Sequence, residues 1–137
     1  MFDKKGPLHK LNKIKDLMLA EDMPLAPFSN FKVGGPADIY LRPQTEAAFV
    51  AAIQLIRQEN WMLTVLGRAS NVLISDLGIR GIVCQLSPDM AGIHILDNEL
   101  TASAGAGLSD IAAKGAAAGL AGLAFSSGIP GSVGGAV

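Results

Sequence analysis

Apolar residues in the first segment of the chain recur at the spacing of an α-helix, at Leu8, Leu11, Ile14 and then Leu17 or Met18. Pro7 suits the first turn of such a helix, and the residues between the apolar positions are mostly charged. We therefore predict an N-terminal helix that packs one apolar face on the body of the protein. Pro24 and Pro27 are expected to end this helix and to begin an extended linker.

A strand, a helix and a second strand are predicted next. Ala37 to Leu41 has the composition of a strand, and Thr45, just after Pro43, is a typical N-terminal cap for the following helix. The apolar face of that helix consists of Phe49, Ala52, Ile53 and Ile56. Met62 to Leu66 then returns as a strand. This succession with short connections predicts a βαβ unit with a right-handed crossover.

The chain between residues 81 and 104 is richer in predicted strands. Gly81 to Leu86 is a run of mainly branched apolar residues, which favours a strand. Ile93 to Leu96 and Glu99 to Ala104 are two further strand-like runs. Asp97 and Asn98 lie between them and tolerate the left-handed backbone of a tight turn, so we predict a hairpin here.

A short helix is expected after the hairpin, with Ser109 as its cap and Gly119 as the left-handed residue at its end. The alternation of strands and helices indicates an α+β or α/β fold. We divide the chain into an N-terminal helix and linker at residues 1–28, a first lobe at 29–88 and the start of a second, β-rich lobe at 89–137.

Glycine is concentrated in three loops that are candidates for ligand binding. Gly128 to Gly135 holds four glycines in eight residues, and Gly67 to Asn71 follows a predicted strand. Gly105 and Gly107 form the third loop. Such loops allow successive main-chain N–H groups to surround an anion such as a phosphate. An ordinary tight turn is an alternative for each loop taken alone, and their joint occurrence is what favours phosphate binding.

Composition and charge exclude several other classes. The 11 Lys and Arg residues against 12 Asp and Glu give a formal charge of −1, so nothing favours nucleic acid or an anionic membrane surface as a partner. Gly115 to Val137 carries no charge, but its glycine, alanine and serine content argues against a membrane span. Cys84 is the one cysteine, which agrees with a reducing, cytoplasmic compartment.

Common catalytic and cofactor motifs are also absent from the sequence. No GxGxxG fingerprint opens the first βα turn, and no glycine loop is followed by Lys-Ser or Lys-Thr as in a P-loop. No GxSxG elbow occurs. His9 and His94 lie far from Cys84 in sequence without the spacing of metal ligands, so we expect no metal site.

Three motifs resemble the N-terminal half of the UDP-N-acetylenolpyruvoylglucosamine reductase family, also called the UDP-N-acetylmuramate dehydrogenases. They are Phe31 to Asp38, Leu66 to Asp76 and Gly128 to Val137, in family order and spacing. The resemblance covers Leu25 to Val137. It implies a vanillyl-alcohol-oxidase or PCMH-type FAD-binding domain with a complete first βαβ lobe and an incomplete second lobe.

The resemblance also implies a cytoplasmic, bacterial enzyme of peptidoglycan precursor synthesis, and hence a role in cell wall formation, cell shape and division. In this family non-covalent FAD is reduced by NADPH and passes a hydride to the enolpyruvyl double bond of a UDP-sugar, and a protein acid supplies the proton that completes UDP-N-acetylmuramate. The residues that the resemblance assigns to FAD are Gly67, Arg68, Ala69, Ser70, Asn71, Gly128, Ile129, Gly131, Ser132, Gly134 and Gly135. Ser70 and Asn71 are the expected side-chain donors to the diphosphate.

Two departures from the family pattern are visible. Ala69 stands where the family usually has glycine, and Asn30 stands where threonine is common. The family's Asn-Ala-Gly segment, its arginine near the flavin, its proton-donating serine and its glutamate would all come after Val137. We therefore expect a truncated chain that has no catalytic residues, retains FAD weakly or not at all, and is inactive alone. The oligomeric state is not predictable from these features.

Two other functions remain open at this point. The first is a fragment of another PCMH-type flavin oxidoreductase, such as an oxidase of alcohols or sugars. Covalent-flavin members of that type use a histidine or cysteine in the glycine loop, and the loops here contain neither. The second is a stand-alone dinucleotide-binding or phosphate-binding module without redox chemistry.

Overall fold

The computed structural model describes residues 2–86, 90 and 92–137. A four-stranded sheet has the order β1-β2-β4-β3, with β1 at Leu17–Pro24, β2 at Pro36–Pro43, β3 at Leu63–Leu66 and β4 at Ile79–Gln85. β1 is antiparallel to β2, whereas β2 and β3 both run parallel to β4. The predicted boundary between the lobes, at residues 88 and 89, lies outside the described residues.

The N-terminal segment differs from its prediction as one long helix and a linker. Helix α1 spans only Lys5–Leu11, and the chain then turns through Asp16, whose φ is +58°. β1 follows and pairs along its length with β2, so that Leu19 lies opposite Leu41. The helical spacing was misleading because Leu17 and Leu19 also alternate as a strand, and pairing with a distant strand decides between the two.

The predicted strand, helix and strand after residue 36 are confirmed. Helix α2 spans Glu46–Gln58, and the Thr45 hydroxyl accepts a hydrogen bond from the Ala48 N–H at 3.2 Å, as expected of a cap. The two strands on either side of α2, β2 and β3, are not neighbours, because β4 lies between them. The handedness of the crossover stays a prediction.

Both faces of the sheet are covered, which explains why 39–41 in β2 and 82–84 in β4 are apolar without alternating with polar residues. One face packs against α1 and α2 through Leu11, Ile39, Leu41, Ala52, Ile56, Ile82 and Cys84. The other face is covered by the loops through Leu25, Ala37, Tyr40, Leu66, Ile74 and Val83. Neighbouring residues of a strand point to opposite faces, so Tyr40 and Val83 lie on the loop side.

A buried carboxylate ties the start of β2 to β4. Asp38 is almost fully buried, and its Oδ1 accepts a hydrogen bond from Arg80 Nη1 at 2.7 Å. Its Oδ2 accepts one from the Gly81 N–H at 2.9 Å. The glycines at 34 and 35 allow close backbone contact with the segment before β4, where the Gly35 N–H donates to the Ser75 carbonyl at 2.8 Å. The first family-like motif is therefore largely structural.

The segment predicted as the second lobe contains the predicted hairpin and helix. β5 at Ile93–Leu96 pairs antiparallel with β6 at Glu99–Ala102, and Asp97 takes a φ of +51° in the turn. Helix α3 spans Leu108–Ala117. Two 3-10 turns, Ala26–Phe28 and Ala124–Ser126, and the single turn α4 at Val133–Ala136 complete the described elements.

The ends of α3 were predicted with mixed success. Ser109 is not the cap: Gly107 holds that position, and no side chain caps the helix. Gly119 does follow the helix with a φ of +75°. Its N–H donates to the Ala116 carbonyl and the Leu120 N–H to the Gly115 carbonyl, which is the Schellman arrangement. No helix among the described residues is long and apolar enough to cross a membrane.

Candidate functional site

A cavity of about 300 Å³ lies between two of the three glycine-rich loops. The first loop, residues 67–72, leaves the end of β3, and the second loop, residues 129–136, precedes and includes α4. The cavity is lined by Gly67, Arg68, Ala69, Ser70, Asn71, Val72, Leu108, Ile129, Pro130, Gly131, Ser132, Gly135 and Ala136. Its volume is at the small end for ligand sites, which suits a diphosphate better than a whole dinucleotide.

All the residues predicted for the cofactor line this cavity except Gly128 and Gly134. Gly128 is exposed beside it. Gly134 lies against the hairpin, where its N–H donates to the Ala104 carbonyl at 2.9 Å, so that N–H is not available to a ligand. The third predicted loop does not form a wall of its own: Gly107 pairs with Ser132, and Gly105 lines a different cavity.

Several main-chain N–H groups at the cavity are available as donors. Within the described residues, the N–H groups of Arg68, Ala69, Ser70 and Asn71 have no hydrogen-bond acceptor. The same holds for Gly131 and Ser132 in the second loop. Ala69 and Ser132 are buried, and Ser70 and Gly131 are half-buried, whereas Arg68 and Asn71 are exposed to water. Buried N–H groups normally have partners, so the free ones among the first four indicate a place for an anion.

The walls of the cavity approach each other closely at Gly67. A β-carbon added to Gly67 would overlap the Ser132 hydroxyl, which belongs to the opposite wall. Ser132 is itself almost fully buried. At Gly131 a β-carbon would lie 3.5 Å from Ser70 Oγ, so the two loops also face each other there. Small residues are thus needed where the walls meet.

The first loop is fixed by side chains that the sequence analysis did not identify. Gln85, at the end of β4, donates from Nε2 to the Gly67 carbonyl at 3.0 Å. Its Oε1 accepts a hydrogen bond from the Tyr40 hydroxyl at 2.6 Å. Burial raises the pKa of Tyr40, while the charge of Arg42 lowers it by less. The neutral hydroxyl therefore remains a donor, and the start of the loop is held from inside the sheet.

Ala69 occupies an unusual backbone conformation in the middle of the first loop. Its φ is +48°, in the left-handed region that favours glycine, and its methyl group is buried. The Asn30 N–H donates to the Ala69 carbonyl at 3.3 Å. Protein atoms cover the residue to all but 4%, although Ala69 is among the residues that line the cavity.

The second loop is held by main-chain contacts with the segment before α3. The Leu108 N–H donates to the Gly131 carbonyl at 3.1 Å, and the Val133 N–H donates to the Ala106 carbonyl at 2.9 Å. These bonds flank the isolated bridge between Gly107 and Ser132. They leave the Ser132 N–H free, because residues that face each other between two such bonds do not bond directly.

The cavity has one charged residue in its described lining. Among the described residues that line it, Arg68 is the one with a charged side chain. Its Nη2 lies 3.2 Å from Oδ2 of Asp110, on the first turn of α3. Both side chains are about half exposed, so solvent screens this pair.

A larger cavity of about 610 Å³ lies between the N-terminal end of α2 and the β5–β6 hairpin. Its lining includes Glu46, whose negative charge opposes a phosphate. It also includes Phe49 and His94. We therefore assign the phosphate site to the smaller cavity, where the free N–H groups and Arg68 lie.

The described residues offer neither an activated cysteine nor a cluster of metal-binding side chains. Burial raises the pKa of the Cys84 thiol to about 12, so this cysteine is not a thiolate nucleophile at neutral pH. No group of three or more His, Cys, Asp or Glu side chains in the described part of the chain could hold a metal ion.

Comparison with known proteins points to flavin binding. Residues 37–137 match a family model described as an FAD binding domain. The chain is 43% identical over 126 residues to a UDP-N-acetylenolpyruvoylglucosamine reductase from Clostridium botulinum (strain Alaska E43 / Type E3), covering 92% of this chain and 41% of that protein. It is 42% identical over 116 residues to the enzyme of that name from Rubrobacter xylanophilus, covering 85% and 39%.

A solved structure shows the same likeness. The crystal structure of the UDP-N-acetylenolpyruvylglucosamine reductase from Thermus caldophilus matches with a TM-score of 0.65 and 29% sequence identity. The match covers 88% of this chain and 40% of that one. The chain thus spans about two fifths of the length of these proteins, and the predicted fold class is confirmed.

Proposed function

Because the chain belongs to the FAD binding domain family, we propose that the cavity between its two loops holds the diphosphate of FAD. We further propose that the chain is the FAD-binding part of a reductase that converts UDP-N-acetylenolpyruvoylglucosamine to UDP-N-acetylmuramate. The observation that carries the first proposal is the cluster of free main-chain N–H groups at one cavity. The proteins that share 42–43% identity with the chain support the second.

The residues at the cavity fit a diphosphate. Free N–H groups from both loops and the Ser70 hydroxyl offer hydrogen bonds to anionic oxygens, and Arg68 offers a positive charge. The N–H donors of the first loop belong to a segment that Gln85 already holds in place, so little ordering of this loop is needed on binding. The described lining contains no acidic residue that would repel the ligand.

The chemistry that FAD supplies when bound is hydride transfer, from NADPH to the enolpyruvyl double bond of the UDP-sugar in the proposed reaction. The residues of this chain contribute binding and orientation to it. The cavity is lined by neither histidine nor cysteine within the described residues, which supports non-covalent binding of the flavin. We place this activity in the cytoplasm, where a single unpaired thiol such as Cys84 remains reduced.

FAD binding is tested by titrating the 137-residue chain with FAD and following flavin fluorescence or the heat of binding. Replacing Gly67 by Ala should weaken binding about tenfold or more, because overpacking costs about 1–3 kcal/mol and pushes the Ser132 hydroxyl out of place. Gly6→Ala is the matched control, since no atom lies within 4 Å of a β-carbon at that exposed position. Equal affinity of wild type and Gly67→Ala would contradict the proposed site.

We expect no NADPH-dependent reduction of the enolpyruvyl substrate by this chain alone, since its relatives use more than twice its length. An assay of NADPH oxidation with FAD and substrate present measures this. Turnover above background would show that the 137 residues carry more of the enzyme than we propose.

A further inference from the structure

The charge of Arg68 is already partly neutralised by the protein itself. Its guanidinium reaches across to the second lobe, where Nη2 lies 3.2 Å from the Asp110 carboxylate. The tips of both side chains lie against Gly107, so that a β-carbon at this position would press on them. Gly107 is in turn the bridge partner of Ser132, which lines the cavity.

Asp110 therefore puts a negative charge beside the cavity without being part of its lining. The carboxylate has two effects on an anionic ligand. It repels the anion directly, and it occupies a guanidinium donor that the anion would otherwise use. Since Arg68 is the one charged residue among the described lining, the pair leaves the site with almost no net charge.

We propose that Asp110 is an internal competitor for Arg68 that lowers the affinity of the cavity for diphosphates. When a ligand enters, the Arg68 guanidinium moves from the Asp110 carboxylate to the phosphate oxygens. The attraction between Arg68 and the phosphate is reduced by the attraction to Asp110 that is lost. The proposal applies to diphosphates as a class of ligand. It rests on the proposed function only in taking FAD as the natural ligand.

The experiment compares wild type, Asp110→Asn, Arg68→Gln and the double variant by calorimetry with inorganic pyrophosphate and with FAD. Asp110→Asn should bind pyrophosphate about three- to tenfold more tightly, since removing an exposed charge at this distance is a modest effect. In the Arg68→Gln background the gain should shrink to less than about twofold, because the competition for the guanidinium is gone.

High salt and the substitution of a second acidic residue distinguish this electrostatic role of Asp110 from a structural one. The gain of Asp110→Asn should disappear at about 1 M salt, where charges are screened beyond about 3 Å. Glu99→Gln is the matched control: it removes the same charge from an exposed position on β6 and should leave the affinity unchanged. Circular dichroism and thermal melting check that each variant folds.

The outcomes distinguish the inference from the proposed function. Unchanged or weaker pyrophosphate and FAD binding by Asp110→Asn, with wild type binding FAD, overturns the inference alone. Tighter pyrophosphate binding without any FAD binding supports the competition and overturns FAD as the ligand. No binding of either ligand to wild type or variant overturns both.

Discussion

The two loops that form the cavity are held by different means. The first loop is anchored by side chains that reach from the main sheet, through Gln85 to the Gly67 carbonyl and through Tyr40 to Gln85. The second loop is anchored by main-chain bonds to the segment before α3. The first wall therefore depends on residue identity, whereas the second depends on backbone geometry and small residues.

The two lobes that carry these loops also differ, in the extent of their buried apolar cores. The first loop stands on a sheet covered on both faces, with fully buried residues such as Ile39 and Ile82. The second loop rests on a small cluster whose buried members are Ala106, Leu108 and Ile111. Regions with few buried apolar contacts open more easily, so the second wall should be the less stable half of the site.

The largest expected effect tests this difference in stability. Ile39→Ala should lower the free energy of unfolding by about 3 kcal/mol, because it removes a fully buried side chain from a closed core. Ile111→Ala should cost about 1–2 kcal/mol, since its cluster is smaller and 8% of the residue is exposed. Urea denaturation of both variants measures this. A larger loss of unfolding free energy in Ile111→Ala than in Ile39→Ala would mean that the second lobe is the more stable one.

Local patterns were sufficient to predict much of the fold and both walls. The capped helix α2, the hairpin around Asp97 and the left-handed Gly119 all follow from neighbouring residues. The two cavity-lining loops were also predicted, because glycine content and position after a strand are local features.

The features that could not be predicted depend on contacts distant in sequence. The apolar spacing of β1 predicts a helix, because the strand that pairs with it, β2, is distant in sequence. Ser109 is a residue type that caps helices, but Gly107 holds the cap position of α3, where it forms a bridge with Ser132. Gln85 could not be identified from the sequence, because a single glutamine at the end of a strand gives no indication that it binds a loop carbonyl.

The next largest effect concerns the anchoring of the first wall. Gln85→Leu keeps the size of the side chain but leaves the Gly67 carbonyl and the Tyr40 hydroxyl without their partners. We expect FAD affinity to fall about tenfold, which corresponds to about 1.4 kcal/mol for a loop that must be ordered on binding. Fluorescence titration of FAD at a temperature where the variant is folded measures the effect.

Tyr40→Phe is the control for this prediction. It removes the hydroxyl that donates to Gln85 and leaves the bond from Gln85 to Gly67 in place. The free energy of unfolding should fall by about 1 kcal/mol, while FAD affinity should change less than about threefold. Equal losses of affinity in the two variants would mean that the sheet, and not the bond to Gly67, positions the loop.

The smallest effect is expected for Ala69→Gly, because backbone strain and packing oppose each other at this position. Replacing it by Gly should relieve about 1 kcal/mol of left-handed strain. The same change removes a buried methyl group, worth about 0.8 kcal/mol, and loosens the unfolded chain at a cost of about 0.4–1 kcal/mol. The free energy of unfolding should thus change by less than about 1 kcal/mol, measured by urea denaturation.

Ala69→Val sharpens this last prediction. A β-branched residue keeps apolar contact but fits the left-handed region poorly, so stability should fall by about 2 kcal/mol or more and FAD affinity with it. If Val is tolerated as well as Gly, the φ of +48° does not constrain the loop, and the first wall is less rigid than its contacts indicate. Loss of stability in Ala69→Gly comparable to that in Ala69→Val would instead show that the buried methyl group, through its packing, is what holds the first loop in place.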